Sequence, residues 1–268
     1  MKTLITIFKE HIYCRGQIFK LAKADIIKTY SGAALGWAWA LIKPTIMISV
    51  FWFAFTYGLR GGGAVEGYPF ILWMLPGFVA WFYMSDMITH GAGAIRKYKY
   101  LVTKMKFPVS TIPTFIAISK LSIHLCLMVI VVLIFILTGF YPDIYWLQVF
   151  IYMLFMFIFF IVWGLFSSML SAMSNDFLNL VKSITTAIFW LSGIMWDVNT
   201  ISNPVIQKIL YFNPVTYIAT GYRNCFIYKV WFWEEQWQLM AFVAVFIVMV
   251  IAALWSYKKL IKEIPDVL

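Results

Sequence analysis

Charged residues are scarce in this sequence: they make up 12% of its 268 residues, whereas hydrophobic residues make up 63%. A typical soluble domain carries about a quarter charged residues. The composition therefore excludes an ordinary soluble protein and predicts a chain folded in a lipid bilayer, where each crossing helix needs ~20 apolar residues. Six such helices would take up about half of the chain, so we expect residues 1–268 to form a single transmembrane domain.

Several chemical signatures are missing as well. The three cysteines, Cys14, Cys126 and Cys225, are too few and too scattered for a disulfide framework or a metal site. No glycine is followed by lysine, so the phosphate-binding motif GxxxxGKS/T is absent and the chain cannot use ATP alone. These two absences predict no cofactor and no metal in this chain. Residues 1–30 carry charges at regular intervals, unlike a cleavable signal peptide.

The net charge of +10 serves as a topology signal. The basic residues lie between apolar runs rather than in an aromatic-studded stripe, so no nucleic-acid partner is expected. Six apolar runs predict six membrane-spanning helices, at 35–59, 70–90, 109–138, 146–173, 181–196 and 237–257. Lys and Arg are far more frequent on the side of these spans that carries both termini. By the positive-inside rule both termini are cytoplasmic, in a multi-pass, all-α protein of the plasma membrane.

The N-terminal segment 4–30 has its own pattern. Apolar residues recur at near-helical spacing among lysines and arginines: Ile5, Phe8, Ile12, Phe19 and Ile26. This pattern predicts an amphipathic interfacial helix that lies on anionic membrane lipids. A solvated cytoplasmic helix remains an alternative.

Segment 95–106, between the second and third spans, is short and basic. Ile95, Tyr98, Leu101, Val102 and Met105 recur at helical spacing and predict an apolar stripe on a cytoplasmic helix. Such a stripe needs either lipid headgroups or a groove on a partner protein to bury it.

Segment 199–236, between the fifth and sixth spans, is apolar but too interrupted to cross the membrane. Pro214 ends one helix and can open another, so we predict two short helices joined at Asn213-Pro214. They are interpreted as a re-entrant hairpin on the exterior side, which is tolerated only where it is buried in protein or lines a cavity. An exterior cap on the leaflet surface is the alternative.

Ionisable residues inside spans are functional candidates because they are costly in hydrocarbon. Asp86 and His90 lie four apart on one helix face and fit a proton relay, half a metal site or, more commonly, a structural pair near water. Lys43 and Lys120 are interpreted as snorkelling to the headgroups, although Lys43 could also attract a lipid phosphate. Trp37 and Trp39 fit either an interfacial aromatic belt or a surface for sugar rings.

Several local patterns occur in an order that resembles one transporter family. They are Tyr30 to Trp39 (YSGAALGWAW), Lys43-Pro44, Lys106-Phe107-Pro108, Asn175-Asp176, Asn213-Pro214, Tyr217 and Gly221-Tyr222-Arg223. With six spans, this set resembles the permease subunit of ABC-type polysaccharide exporters and covers nearly the whole chain. The stretch 211–233 and the final IPDVL look most like teichoic-acid translocation permeases; O-antigen and capsule exporters are close relatives.

The resemblance implies a homodimer of permeases with two separate ATPase subunits, which hold the ATP and Mg. It implies a conduit at the dimer interface for a polyprenyl-diphosphate-linked teichoic acid. The candidates for its lining are Trp37, Trp39, Lys43 and Arg223, and Asn213 and Pro214 are the predicted re-entrant hinge. It also implies that segment 95–106 is a coupling helix docked on the ATPase. The residues assigned to this role are Arg96, Lys97, Tyr98, Leu101, Lys104, Met105 and Lys106.

Two other classes fit less well. An autonomous secondary transporter needs coupling-ion sites at the midplane, and the sequence shows neither acidic midplane residues nor a matching broken helix. An enzyme acting on lipid-linked sugars needs carboxylate or histidine clusters at a membrane face. The acidic residues occur singly in different segments: Glu66, Asp86, Asp143, Asp176 and Asp197. No catalytic residue is therefore expected.

Overall fold

The structure is a computed structural model that describes residues 2–32, 34–59, 64–105 and 107–268. Regular structure in these ranges is helical, apart from one isolated bridge between Val65 and Tyr68. The helices are α1 Lys2–Tyr13, α2 Arg15–Tyr30, α3 Trp39–Phe53, α4 Phe70–Ala92, α5 Ala94–Lys97, α6 Lys99–Thr103, α7 Ile112–Leu137, α8 Val149–Met173, α9 Asn175–Leu191, α10 Pro204–Leu210, α11 Pro214–Arg223, α12 Gln236–Leu260 and α13 Ile264–Val267. The all-helical class expected from the sequence is confirmed.

Five helical stretches of the described chain are long and apolar enough to cross a membrane: Gly36–Gly58, Phe70–Ala92, Val109–Leu137, Ile144–Met173 and Gln236–Leu260. Their bounds lie close to five of the six predicted spans. The first includes a 3₁₀ turn before α3 and a π turn after it, with Pro44 inside α3.

The fifth predicted span, 181–196, is wrong in its bounds. The structure has α9 at Asn175–Leu191, because the Ser174 hydroxyl accepts a hydrogen bond from Phe177 N and starts the helix earlier. Lys182 therefore lies within α9 rather than at its end. At 17 residues α9 rises about 26 Å, slightly less than the ~30 Å of a hydrocarbon core.

Helix α4 is the centre of the bundle. In the most apolar 18-residue stretch of each candidate span, 78% of the residues of α4 are buried inside the protein, against 6% of those of the first span. Helices α7, α8 and α11 pack around α4, and α12 packs on α8. The first span is therefore almost uncovered in a single copy of the chain.

Both termini lie at the same end of the bundle, here called the basal end. Glu10 of α1 accepts hydrogen bonds from Ser110 before α7 and from Tyr257 near the end of α12, the latter at 3.2 Å. His11 Nε2 lies 2.7 Å from Thr114 Oγ1. Polar contacts therefore hold the start of segment 4–30 against α7 and α12. The segment forms two helices, broken at Cys14, instead of the single helix expected. Its apolar side chains Ile5, Phe8, Ile12 and Phe19 remain exposed.

Candidate functional site

A cavity of about 650 Å³ opens between α2, α3, α4 and α7, towards the basal end. Its wall combines aromatic rings, including Tyr30, Trp39 and Tyr83, with ionisable groups. The ionisable side chains on the wall are Lys43, Asp86, His90, Lys97, Lys120 and His124. We call this space the basal chamber. A cavity lined by both apolar and ionisable side chains can receive a ligand that has both charged and apolar parts.

Most of the charges in the chamber are already paired. Lys120 Nζ lies 2.8 Å from Asp86 Oδ2, and His90 Nδ1 lies 3.4 Å from Asp86 Oδ1. The snorkelling interpretation of Lys120 is therefore wrong, since its side chain is 7% exposed and paired inside the bundle. Lys97 Nζ lies 2.6 Å from Asp25 Oδ1. Lys43, in contrast, forms no ion pair with any residue that the structure describes, and its Nζ lies 6.0 Å from the Trp39 ring centroid.

The substrate-path residues expected from the sequence are split by the fold. Trp39 and Lys43 line the chamber. Trp37 is 56% exposed and stacks on Tyr30, with ring centroids 5.3 Å apart, so it extends the chamber wall outward. Arg223 lies elsewhere, between α4 and the segment after α9.

Arg223 is built into the bundle. It is 2% exposed, and its Nη1 donates to Gly193 O at 2.7 Å while its Nη2 donates to Ile194 O. Its guanidinium lies over the Trp73 ring at 3.8 Å from the centroid. These contacts fix the turn after α9 against α4, which is a structural role.

The two short helices of the predicted re-entrant pair, α10 and α11, differ strongly in burial. Pro214 is the first residue of α11, and Asn213 Oδ1 accepts from Val215 N at 3.0 Å, so Asn213-Pro214 divides two short helices as expected. Asn213 Nδ2 also donates to Ser192 Oγ at 2.7 Å. Residues 215–223 of α11 are all buried against α4 and α8, whereas α10 lies on the surface. Protein burial is the condition under which short helices are tolerated at membrane depth.

The Gly221-Tyr222 pair explains part of the sequence pattern. A Cβ at Gly221 would lie 2.1 Å from the Tyr152 ring, so only glycine lets that ring pack against α11. Tyr222 OH lies 2.9 Å from His124 Nε2. Because His124 Nδ1 faces the carbonyl of Val79 at 3.2 Å, Nδ1 carries the proton and Nε2 accepts from Tyr222.

The stripe of segment 95–106 is buried by the chain itself. It forms two short helices, α5 and α6, broken at Tyr98, and not the single helix predicted. Ile95, Tyr98, Leu101 and Val102 are all less than 8% exposed. Helix α5 packs on α7 and α8, and the Tyr98 ring lies 4.9 Å from Phe115 of α7. The expectation that a partner buries this stripe is therefore wrong for these four residues.

The predicted coupling residues accordingly face two ways. Arg96 donates to Ser171 O and, at 3.0 Å, to Ala172 O at the end of α8, so it faces inward. An outer surface remains, which we call the basal patch. It consists of Lys99, Tyr100, Thr103, Lys104 and Met105, with Met105 65% exposed. Lys106 lies outside the described residues.

Asp25 of α2 connects these elements. It is 1% exposed and accepts from Lys97 Nζ at 2.6 Å, from Tyr98 OH, and from Ser119 Oγ of α7 at 2.6 Å. We call these four residues the Asp25 cluster. Burial raises the pKa of the Asp25 carboxyl, but the hydrogen bonds from Lys97, Ser119 and Tyr98 and the charge of Lys97 outweigh it and lower that pKa. The cluster stabilises the fold above the unfolded carboxyl pKa of ~3.9, and this is lost only as pH falls through the lower folded value.

Comparison with known proteins gives the family. Residues 16–227 match the family described as ABC-2 type transporter. The chain belongs to this family. It is also 23% identical over 264 residues to the O-antigen export system permease protein RfbA of Myxococcus xanthus, a match that covers 98% of this chain and 99% of the relative. As an ABC-2 type transporter with several apolar helices, the protein is a multi-pass membrane transport subunit rather than an enzyme. Among its described residues no group of three or more His, Cys, Asp or Glu is placed to hold a metal.

Sequence reasoning missed the most connected of these residues. Asp25 and Glu10 are the acidic residues of positions 1–33, which otherwise carry many basic side chains. Asp25 also follows Ile18 and Ala22 on one helix face, at i+7 and i+3. An acid in line with buried apolar positions indicates a buried partner, and the sequence contains this signal.

Proposed function

We propose that this chain is the membrane subunit of an ATP-driven exporter that moves a polyprenyl-diphosphate-linked polysaccharide out across the plasma membrane. The family match and the name of the Myxococcus xanthus relative support an exported polysaccharide as cargo. The observation that carries the proposal is the basal chamber, which combines an unpaired lysine with aromatic rings at one end of a membrane bundle.

Lys43 is the residue assigned to the lipid diphosphate. A lysine in a membrane span is costly, by roughly 2.5–3.5 kcal/mol on insertion scales, unless it reaches water or an anion. The other two chamber lysines are compensated by Asp25 and Asp86, so Lys43 is the charge left for a ligand. Trp37, Trp39 and Tyr30 offer flat surfaces on which sugar rings can lie.

Replacing Lys43 with methionine removes this charge and keeps nearly the length of the side chain. We expect the glycolipid concentration for half-maximal export to rise by roughly 10- to 100-fold, since a charge-assisted contact is worth roughly 1.5–3 kcal/mol. Export by vesicles that contain the complex measures this. Lys259→Met, near the end of α12, is the matched control. An unchanged half-maximal concentration in K43M would contradict the assignment.

The conduit is proposed to form between two copies of the chain. Along α9, Asn175, Asn179, Lys182 and Thr186 share one face and are exposed in the single copy. The uncovered first span lies beside them, with the Phe51 ring 5.5 Å from Phe189. A polar stripe on a helix at membrane depth needs a partner or a water-filled path. A second copy supplies both; a purified chain that is monomeric by light scattering would argue against it.

The topology of this proposal has six spans, with α9 as the fifth. The basal end, which holds both termini and the basic segments, faces the cytoplasm, and the α10–α11 pair lies towards the exterior. Protease cleavage of tags at each terminus in sealed, right-side-out cells tests this: both tags should be protected.

The energy source is proposed to be two copies of a separate ATPase, with its ATP and Mg, docked on the basal patch. An ATPase can drive the permease only through a contact that differs between its nucleotide states. The exposed Tyr100, Lys104 and Met105 form a mixed basic and apolar surface at the cytoplasmic end. This revises the expected coupling set, because Arg96, Tyr98 and Leu101 are engaged within the chain.

Changing Lys104 and Met105 together to aspartate should strongly weaken docking of the ATPase. The double change reverses one charge and places another on an exposed apolar contact, so we expect binding to weaken by roughly 100-fold. Copurification of the tagged ATPase measures this. The matched control is Lys262→Asp with Val267→Asp, two exposed residues of the C-terminal tail at the same end. Undiminished docking of the Lys104/Met105 variant would show that the basal patch is not the contact.

The identity of the polymer is the finer part of the proposal. The relative's name supports O-antigen better than teichoic acid, which rests on the resemblance of 211–233 and of the C-terminal tail. Competition between the two lipid-linked polymers for export by the same vesicles would decide between them.

A further inference from the structure

We propose that Asp25 is a positioning residue that transmits movement of segment 94–105 to the mouth of the basal chamber. The inference rests on the proposed function, because it takes an ATPase docked on the basal patch as the source of that movement. It concerns a residue that touches neither the ligand nor the ATPase. It is supported by the way in which the Asp25 cluster joins three parts of the chain.

The three donors of the cluster come from two different parts of the fold. Lys97 and Tyr98 belong to the segment that carries the basal patch, and Ser119 belongs to the membrane helix α7. Their common acceptor is a fully buried carboxylate of α2. Hydrogen bonds from charged groups to a buried carboxylate are short and strong, so a shift of Lys97 and Tyr98 displaces Asp25 with them.

The last turn of α2 links Asp25 to the chamber. Thr29, one turn after Asp25, donates to the carbonyl of Asp25 at 2.8 Å, and both Thr29 and Tyr30 line the chamber. Tyr30 in turn stacks on Trp37 at the start of the first span. A rigid helical turn therefore connects the carboxylate to the chamber wall.

The cluster also reaches the opposite wall of the chamber. Lys97 lines the chamber while it binds Asp25. Ser119 binds Asp25, and the next residue, Lys120, binds Asp86 of α4 at 2.8 Å. The cluster thus joins segment 94–105 to both sides of the chamber, as a transmitting element must.

The fold itself does not depend on Asp25 alone. Helix α1 is held separately by Glu10 and His11, and Ile18 and Ala22 keep α2 packed in the bundle. Asp25→Asn preserves the shape of the side chain and one acceptor oxygen. We therefore expect this variant to fold and to bind the ATPase.

The test compares export with hydrolysis in vesicles that contain the chain and its ATPase. For Asp25→Asn and for Lys97→Met we expect the glycan exported per ATP hydrolysed to fall roughly tenfold, within the usual range of coupling between sites. The double variant should be no worse than either single one, because both remove the same link. Lys97→Arg should restore the ratio, and Asp266→Asn, an exposed acid, should not change it. An unchanged ratio in D25N, or a proportional loss of export and hydrolysis, would overturn the proposal.

A second readout separates this proposal from the choice of cargo. Ala40→Cys, in a chain with Cys126→Ser, places a thiol on the chamber wall for a water-soluble reagent. Its labelling rate should change when vanadate and ATP trap the ATPase, and Asp25→Asn should abolish that change. If the nucleotide-dependent change persists in D25N, the link is wrong. If it behaves as expected but no glycan is exported, the link stands and the cargo assignment fails.

Discussion

Replacing Gly221 with alanine is expected to destabilise the protein by about 3 kcal/mol, the upper part of the range for overpacked cores. The added methyl group would overlap the ring of Tyr152, which is fully buried. That ring cannot retreat easily, since it also contacts Tyr217 at 5.5 Å and Phe155 at 6.4 Å between centroids. Thermal unfolding in detergent, followed by size-exclusion chromatography, measures the loss.

The control for this change is Gly16→Ala. Gly16 lies in α2, and nothing lies within 4 Å of the position of its added Cβ. Alanine in a helix is favoured over glycine by roughly 0.5–1 kcal/mol, so this variant should be as stable as the wild type or slightly more stable. If Gly221→Ala unfolded at the same temperature as Gly16→Ala, the close packing of α11 on α8 would be refuted.

Replacing Arg223 with methionine is expected to cost about 3 kcal/mol. The change leaves the carbonyls of Gly193 and Ile194 without their donors and removes the cation from the face of Trp73. A buried polar group that loses its partner costs roughly 1–3 kcal/mol. Arg223→Lys should be intermediate, because an ammonium keeps the charge but cannot reach two carbonyls with a planar fork.

This variant also decides between two roles for Arg223. The expectation from sequence placed it in the substrate path, whereas the structure surrounds it with backbone carbonyls. A structural role predicts lower thermal stability in R223M, while exposed Lys208→Met, in the same segment, should stay within about 0.5 kcal/mol of the wild type. If R223M were as stable as the wild type but did not support export, Arg223 would belong to the substrate path.

The spans were largely predictable because a bilayer imposes its thickness on the sequence. In the described chain, five apolar stretches are long enough to be recognised as spans from their length and composition. The start of α9 was missed for a physical reason: Asn175 and Asn179 resemble a loop in a hydropathy profile, although Ser174 caps a helix there. A hydropathy profile averages over all faces of a helix, so it does not reveal a polar stripe along one face.

The chamber and the Asp25 cluster were less predictable. Helical spacing correctly showed an amphipathic stripe at Ile95, Tyr98 and Leu101, but spacing does not show which surface covers it. The contact between Asp25 and Lys97 spans 72 residues of sequence, and the pairing of Lys120 with Asp86 depends on how α7 and α4 pack. Long-range partners of this kind arise from tertiary packing and not from local periodicity.

The proposed function depends most on one division of labour, in which this chain provides the passage and a separate ATPase provides the energy. The direct measurement is the movement of a polyprenyl-diphosphate-linked glycan across vesicles that contain the chain alone, the ATPase alone or both. We predict export only with both proteins and ATP. Uphill export by the chain alone would contradict this division, and so would an absence of export from the complete complex.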